Sequence, residues 1–124
     1  MATASYRAQA ELRQVKRALD WAENTLELSD AEVGGALGAS ARSVARWRDE
    51  RHQPHNEHVL AAERLLEIAE AMNIVFSGDM ERLHAWLHEP SRAFRGRTTL
   101  RMIAEGKLDD VLTALANVDT GAFA

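Results

Sequence analysis

Apolar residues recur at intervals of three and four along almost the whole chain, the spacing that places them on one face of an α-helix. The first stripe predicts a helix from about Ser5 to Glu27 and comprises Leu12, Val15, Leu19, Ala22 and Leu26. After a break at residues 53–56, a second long stripe comprises Val59, Ala62, Leu65, Leu66, Ala69 and Met72. Pro54 disfavours helix in that break, and Asn56 is the expected cap of the next helix. No segment sustains strand-type alternation, so the pattern predicts an all-α fold.

Between the two long stripes, residues 28–48 predict two short helices joined by a tight turn. Ser29 is followed three residues later by Glu32, which is the pattern of a capping box at a helix start. Gly38 supplies a residue that tolerates the left-handed conformation and ends the first short helix. Ser40 is the expected cap of the second.

The second short helix carries hydroxyl and cationic side chains outside its apolar pair, Val44 and Trp47. A glycine-containing turn between two short helices is the arrangement that lays the second helix in the major groove of DNA. The alternative is an ordinary corner between two packed helices, but the cationic helix favours DNA. The expected DNA-binding residues are Ser40, Arg42, Ser43 and Arg46 in the groove, with Arg48 and Arg51 nearer the phosphates.

A polar turn at residues 77–79 introduces a second half with shorter apolar stripes. It predicts a short helix stopped by Pro90, a basic connector, a helix capped by Thr98 and ended by Gly106, and a last helix. This half has few apolar residues for a core of its own, so we expect it to pack on a partner or a second copy. The predicted units are residues 1–76 and residues 77–124.

Composition and charge constrain the partners. The 124 residues contain no cysteine, which excludes disulfides and thiolate metal sites. The net charge of -4 argues against a wholly basic nucleic-acid binder, but residues 91–107 carry five cations against one acid. Since a phosphate contact needs only a local positive face, the global acidity does not exclude DNA. No apolar run of membrane length and no signal-peptide core is present, so we expect a cytoplasmic protein with no membrane partner.

The remaining chemistry is sparse. Two histidine sets have spacings of interest: His52, His55 and His58 as one run, and His84 with His88 one helical turn apart. A carboxylate such as Glu89 would have to complete the pair as a zinc site, and Pro54 interrupts the run. We therefore predict no metal and no cofactor. The chain has no glycine-rich phosphate loop, nucleophile elbow or triad pattern, so it is not predicted to be an enzyme.

These motifs together resemble a known family, the Xre/MbcA/ParS antitoxins. In the first half the similarity is carried by SDAEVGGALGASARSVARWRDE and by the long helix LAAERLLEIAEAM. In the second half it is carried by Trp86-Leu87, Pro90, Gly96, the helix start Thr98-Thr99-Leu100, Gly106, and a helix ending near Gly121. The chain departs from the family pattern at Ser91 and Thr99, where the family often has Asn and Pro.

The resemblance implies an Xre-like helix-turn-helix bundle with a small C-terminal helical toxin-binding domain. It also implies a type II antitoxin that regulates its own operon and whose partner is a RES-domain toxin, an enzyme that consumes NAD. The C-terminal segment would enter the active-site cleft of the toxin and exclude its substrate. On this chain the matching residues are Val118, Asp119, Thr120, Gly121, Ala122, Phe123 and Ala124, of which Gly121 and Phe123 are the most informative.

The basic connector, which includes Arg97 and Arg101, is the other expected toxin-binding element; DNA phosphates or solvent remain alternatives for it. Operator DNA is the second expected partner, bound as a homodimer or in a larger hetero-oligomer with toxin, because one short recognition helix reads few base pairs. Two other functions stay open at this point. The chain could be a stand-alone Xre-type transcriptional regulator whose C-terminal half only mediates dimerisation, or an interaction protein that has lost DNA binding.

Overall fold

The computed structural model describes the backbone of residues 2–119 and the side chains of residues 6–118. The helices are α1 (Ala2–Leu26), α2 (Asp30–Leu37), α3 (Ala41–Arg48), α4 (Asn56–Phe76), α5 (Met80–His88), α6 (Thr99–Ala104) and α7 (Leu108–Asp119), with a 3-10 turn at Arg92–Phe94 between α5 and α6. Within these residues, the β-type pairing is limited to an isolated bridge between Ser91 and Arg97. The prediction of an all-α fold is confirmed.

Local side-chain hydrogen bonds set the ends of α2 and α3. The Oγ of Ser29 accepts from the Glu32 amide at 3.2 Å, and the Glu32 carboxylate accepts from the Ser29 amide at 2.9 Å. Gly38 ends α2 in the left-handed conformation with φ of 74°. Ser40 then begins α3 by accepting from the Ser43 amide at 3.1 Å. The predicted capping box, glycine stop and serine cap are therefore all confirmed.

The start of α4 differs by one residue from its prediction. His55, and not Asn56, occupies the cap position, and its side chain makes no capping hydrogen bond. Pro54 is buried beside it. Asn56 was predicted as the cap because asparagine is a preferred residue at that position. The prediction was wrong because the backbone turns into the helix one residue earlier.

Both halves of the chain contribute to one continuous cluster of buried apolar side chains. It includes Leu19 of α1 and Leu65 of α4 together with Ile103 of α6 and Leu115 of α7. The helix α4 lies at the centre, packed against α1 on one side and α7 on the other. The expectation that the second half packs on a partner or a second copy is corrected, because α6 and α7 bury their apolar faces on α2 and α4 of the same chain. The division into units at residue 76 stays a prediction.

A glycine permits the closest approach between the two halves. A Cβ atom added to Gly35 of α2 would lie 2.3 Å from the carbonyl oxygen of Ala104, at the end of α6. On the other side of this contact, a Cβ at Gly106 would lie 3.1 Å from the Gly35 carbonyl oxygen. The backbones of α2 and α6 are thus in direct contact, which fixes the C-terminal half against α2.

Candidate functional site

The outer surface of α3 gathers the cations expected to bind DNA. Arg42 and Arg46 lie one helical turn apart, and both side chains are exposed. Neither forms an ion pair within the described residues. Together with Arg51 and His52 they line one shallow depression, which we call the α3 surface. Arg51 is partly neutralised by Asp49, whose carboxylate lies 3.3 Å from its guanidinium.

The two serines expected beside these arginines are used in capping. The Oγ of Ser40 accepts from the Ser43 amide and donates to the Ser43 Oγ at 3.3 Å. Ser40 is exposed and Ser43 is half-buried. Their hydroxyls lie at the N-terminal end of α3, next to the exposed arginines, and fix how the helix starts.

Arg48 was predicted to lie near the DNA phosphates, but it lies on a different face of α3 from Arg42 and Arg46. Its guanidinium is 2.6 Å from a Glu23 carboxylate oxygen, 3.2 Å from Asp30 and 3.9 Å from Asp20. These acids belong to α1 and α2, so Arg48 joins α3 to both helices. The sequence already indicated this position, because Arg48 follows the buried Val44 by four residues and the two therefore lie on the same face of α3.

In the C-terminal half, the two cations expected to bind toxin converge on one carboxylate. Arg97 lies 3.1 Å from one oxygen of Glu105 and Arg101 lies 2.8 Å from the other. The hydrogen bond from Arg101 lowers the pKa of the Glu105 carboxyl, with a smaller contribution from the charge of Arg97. The stability from this pairing is therefore complete above the unfolded-state pKa of the carboxyl, and it is lost as the pH falls through the lower folded-state pKa.

A groove of about 480 Å³ opens between the connector and α7, and we call it the basic groove. Its lining residues are Ala93, Phe94, Arg95, Arg97, Met102, Lys107, Asp110, Thr113, Ala114 and Asn117. Three cations thus face one acid, and Arg95 and Lys107 form no ion pair within the described part of the chain. Arg95 was predicted only as part of the basic connector and Lys107 not as a site residue, because the groove depends on how the connector folds against α7.

The groove leads along α7 towards the predicted toxin-binding segment. Val118 is half-buried, and Asp119 is the last residue of α7. The remaining residues predicted to bind toxin, which are Thr120, Gly121, Ala122, Phe123 and Ala124, lie outside the described residues.

The two histidine sets differ in the side chains around them. The rings of His84 and His88 stack with centroids 4.2 Å apart on the exposed side of α5. In the other set, His55 and His58 lie beside Glu57, which was not predicted, and the potential ligand atoms of these three residues all lie within 4.8 Å of one another; His52 is not part of this cluster.

Among the residues searched for spanning segments, no helix combines the length and the apolar character needed to cross a membrane.

Comparison with known proteins gives two kinds of match: one covers the C-terminal half, and the other covers most of the chain. The family profile described as the antitoxin Xre/MbcA/ParS C-terminal toxin-binding domain matches residues 71–121. Relatives from Mycobacterium bovis and Mycobacterium tuberculosis, each named mycobacterial cidal antitoxin MbcA, are 31% identical over 101 residues. The alignment covers 79% of this chain and 85% of each relative. No solved structure gives a significant match.

Proposed function

The chain belongs to the Xre/MbcA/ParS antitoxins, and from this premise we propose that it neutralises a RES-domain toxin and represses its own operon. The observation that carries the proposal is the match of residues 71–121 to a toxin-binding domain. That match spans α5, α6 and α7 and extends to Gly121. The toxin would be an NAD-consuming enzyme, as the family resemblance implies.

Neutralisation would depend on two neighbouring elements of the C-terminal half. The segment from Val118 to Ala124 would enter the active-site cleft of the toxin and exclude NAD. The basic groove, with the exposed cations Arg95 and Lys107, supplies a positive surface that would bind acidic groups of the toxin. Arg97 and Arg101 would contribute to the same contact if the toxin competes with Glu105 for their guanidinium groups.

Co-expression with the protein encoded by the adjoining gene tests this function. We expect that protein to arrest growth and lower cellular NAD when it is produced alone. With the present chain, growth should be restored and the two proteins should co-purify. An adjoining protein that neither arrests growth nor binds the chain contradicts the proposal.

Repression would use the α3 surface. Arg42 and Arg46 point away from the core and are available for base edges and phosphates, whereas the buried Val44 and Trp47 hold the helix in place. The chain as a whole is acidic, so the attraction to DNA is local and modest. Useful affinity would require two or more copies of α3 on repeated half-sites, in a homodimer or in a complex with toxin.

Arg46→Ala is expected to weaken binding to the operator by about 1–3 kcal/mol while leaving the melting temperature unchanged. The side chain is exposed and unpaired within the described residues, so its removal costs little in the folded chain. A gel-shift titration with the promoter of the chain's own operon measures the effect. Equal affinity of the variant and the original chain would remove Arg46 from the interface.

Arg48→Ala is the matched control, two residues further along the same helix. It removes the same charge but leaves Glu23, Asp30 and Asp20 without their shared cation. We expect a loss of about 1–2 kcal/mol in the free energy of unfolding, and DNA affinity close to that of the original chain at a temperature where the variant is folded. If Arg48→Ala lowers DNA affinity as much as Arg46→Ala, the loss of a positive charge explains the lower affinity of both variants, and the position of the arginine on α3 does not.

A further inference from the structure

The N-terminal end of α4 brings together three metal-ligating side chains that neither proposed interface uses. His55, Glu57 and His58 each offer one ligand atom, and these atoms lie within 4.8 Å of one another. The three residues come from a single stretch of four positions, so the fold of this stretch alone assembles them.

His58 is held in an orientation that suits a metal ligand. Its Nδ1 lies 2.9 Å from the carbonyl oxygen of Leu37, and because a carbonyl only accepts, Nδ1 carries the proton. In the neutral form of the ring this leaves the lone pair on Nε2. Metal-binding histidines commonly donate their other ring N–H to a backbone carbonyl in this way, which fixes the tautomer and raises the basicity of the ligating nitrogen.

The lone pair of His58 faces a carboxylate. The Nε2 atom lies 3.8 Å from a Glu57 oxygen, and the His58 side chain is only 13% exposed. The rings of Trp47 and His58 are in contact, with centroids 5.1 Å apart, so the His58 ring has little freedom to turn away. A metal ion bound between Nε2 and the carboxylate would be attracted to both atoms.

His55 completes the set from the other side. Its ring stacks on that of His58 with centroids 5.5 Å apart, and it makes no capping hydrogen bond although it occupies the cap position of α4. Ligands on a tetrahedral zinc ion are roughly 3.4 Å apart at the usual bond lengths of 2.0–2.1 Å. The side chains of His55 and Glu57 are exposed, so they have room to rotate towards that spacing.

We propose that His55, Glu57 and His58 form a binding site for a divalent transition metal of the zinc class, with the fourth position open to solvent. Two imidazoles and one carboxylate match the preference of Zn²⁺ and Co²⁺, whereas Mg²⁺ and Ca²⁺ prefer all-oxygen ligands. His58 is oriented by Leu37 at the end of α2 and by Trp47 of α3, so the set is in place for an ion only when α4 is packed on both short helices. The metal therefore stabilises the folded chain by mass action.

The test is a titration of the tag-free full chain, freed of metal by a chelator, with Co²⁺ alone and with Zn²⁺ alone. Visible absorption of Co²⁺ reports its geometry, and calorimetry gives the stoichiometry and affinity for Zn²⁺. We expect one equivalent to bind with a tetrahedral Co²⁺ spectrum, and the melting temperature to rise with Zn²⁺. His55→Asn and Glu57→Gln should each weaken binding at least about tenfold.

A second histidine pair in the same chain provides the control. The double variant His84→Asn with His88→Asn removes two stacked, exposed imidazoles on α5 and should leave the affinity unchanged. Circular dichroism of the metal-free variants checks that the fold is retained. The proposal is overturned if the chain gives no tetrahedral Co²⁺ spectrum, if His55→Asn binds as tightly as the original chain, or if the His84 and His88 variant loses the bound ion.

Discussion

Gly35→Ala is expected to lower the free energy of unfolding by about 3 kcal/mol, although alanine is the better helix former by about 1 kcal/mol. The added Cβ would lie 2.3 Å from the Ala104 carbonyl oxygen. That atom belongs to the backbone and cannot rotate aside as a side chain can. The helices α2 and α6 must therefore separate, and the apolar contact around Ile103 weakens. Urea unfolding of the purified variant measures the loss.

Gly78→Ala separates this steric effect from the general cost of replacing glycine. Gly78 has a φ of 83°, and a Cβ there would meet no atom within 4 Å. Its replacement should cost only about 1 kcal/mol, the strain of a non-glycine residue in the left-handed region. If Gly35→Ala is as stable as the original chain while Gly78→Ala is not, α2 and α6 are not in contact and the packing of the C-terminal half described above is wrong.

Deletion of residues 121–124 is expected to reduce neutralisation of the toxin strongly while leaving the fold and DNA binding intact. Among the described residues of α7, the buried side chains are those of Leu108, Val111, Ala114 and Leu115, all upstream of the deletion. The α3 surface is contributed by the first half. Removing an anchor that fills a binding pocket commonly costs at least about 2 kcal/mol, roughly a 30-fold loss of affinity. Growth rescue in cells that produce the toxin measures the loss.

Single substitutions within residues 121–124 test which side chain of this segment is needed for neutralisation. Phe123→Ala removes the one large apolar side chain of the proposed plug and should reproduce most of the effect, whereas Ala122→Ser is the conservative control. Gel-shift titrations of all three variants check that DNA binding is retained. Full growth rescue by the chain that lacks residues 121–124 would show that neutralisation does not depend on this segment.

Local features of this chain could be predicted from its sequence because short-range hydrogen bonds decide them. The capping box of Ser29 and Glu32, the left-handed Gly38 and the cap at Ser40 each depend on residues within four positions. Such bonds form wherever the chain turns into a helix and need no distant partner. The two short helices and the exposed position of Arg42 and Arg46 followed from the same local reasoning.

Features that depend on distant segments could not be predicted in this way. The contact of Gly35 with Ala104 joins residues far apart in the chain, and the sequence gives no sign of which backbone a helical glycine will meet. The packing of α6 and α7 was missed for the same reason, because a short apolar stripe fits a partner, a second copy or the same chain equally well. The spacing of Arg48 from Val44 indicated the inner face of α3, but its partner Glu23 could not be predicted because that contact depends on how α1 packs against α3.

We propose that this antitoxin inhibits its toxin by excluding NAD, and NAD consumption by the purified partner is the decisive measurement. The partner encoded by the adjoining gene is assayed with NAD while the full chain is added in increasing amounts. We predict that NAD consumption falls to background near the stoichiometry of the complex, and that the chain lacking residues 121–124 leaves it largely unchanged. A stable complex in which the partner consumes NAD at its full rate would contradict the claim.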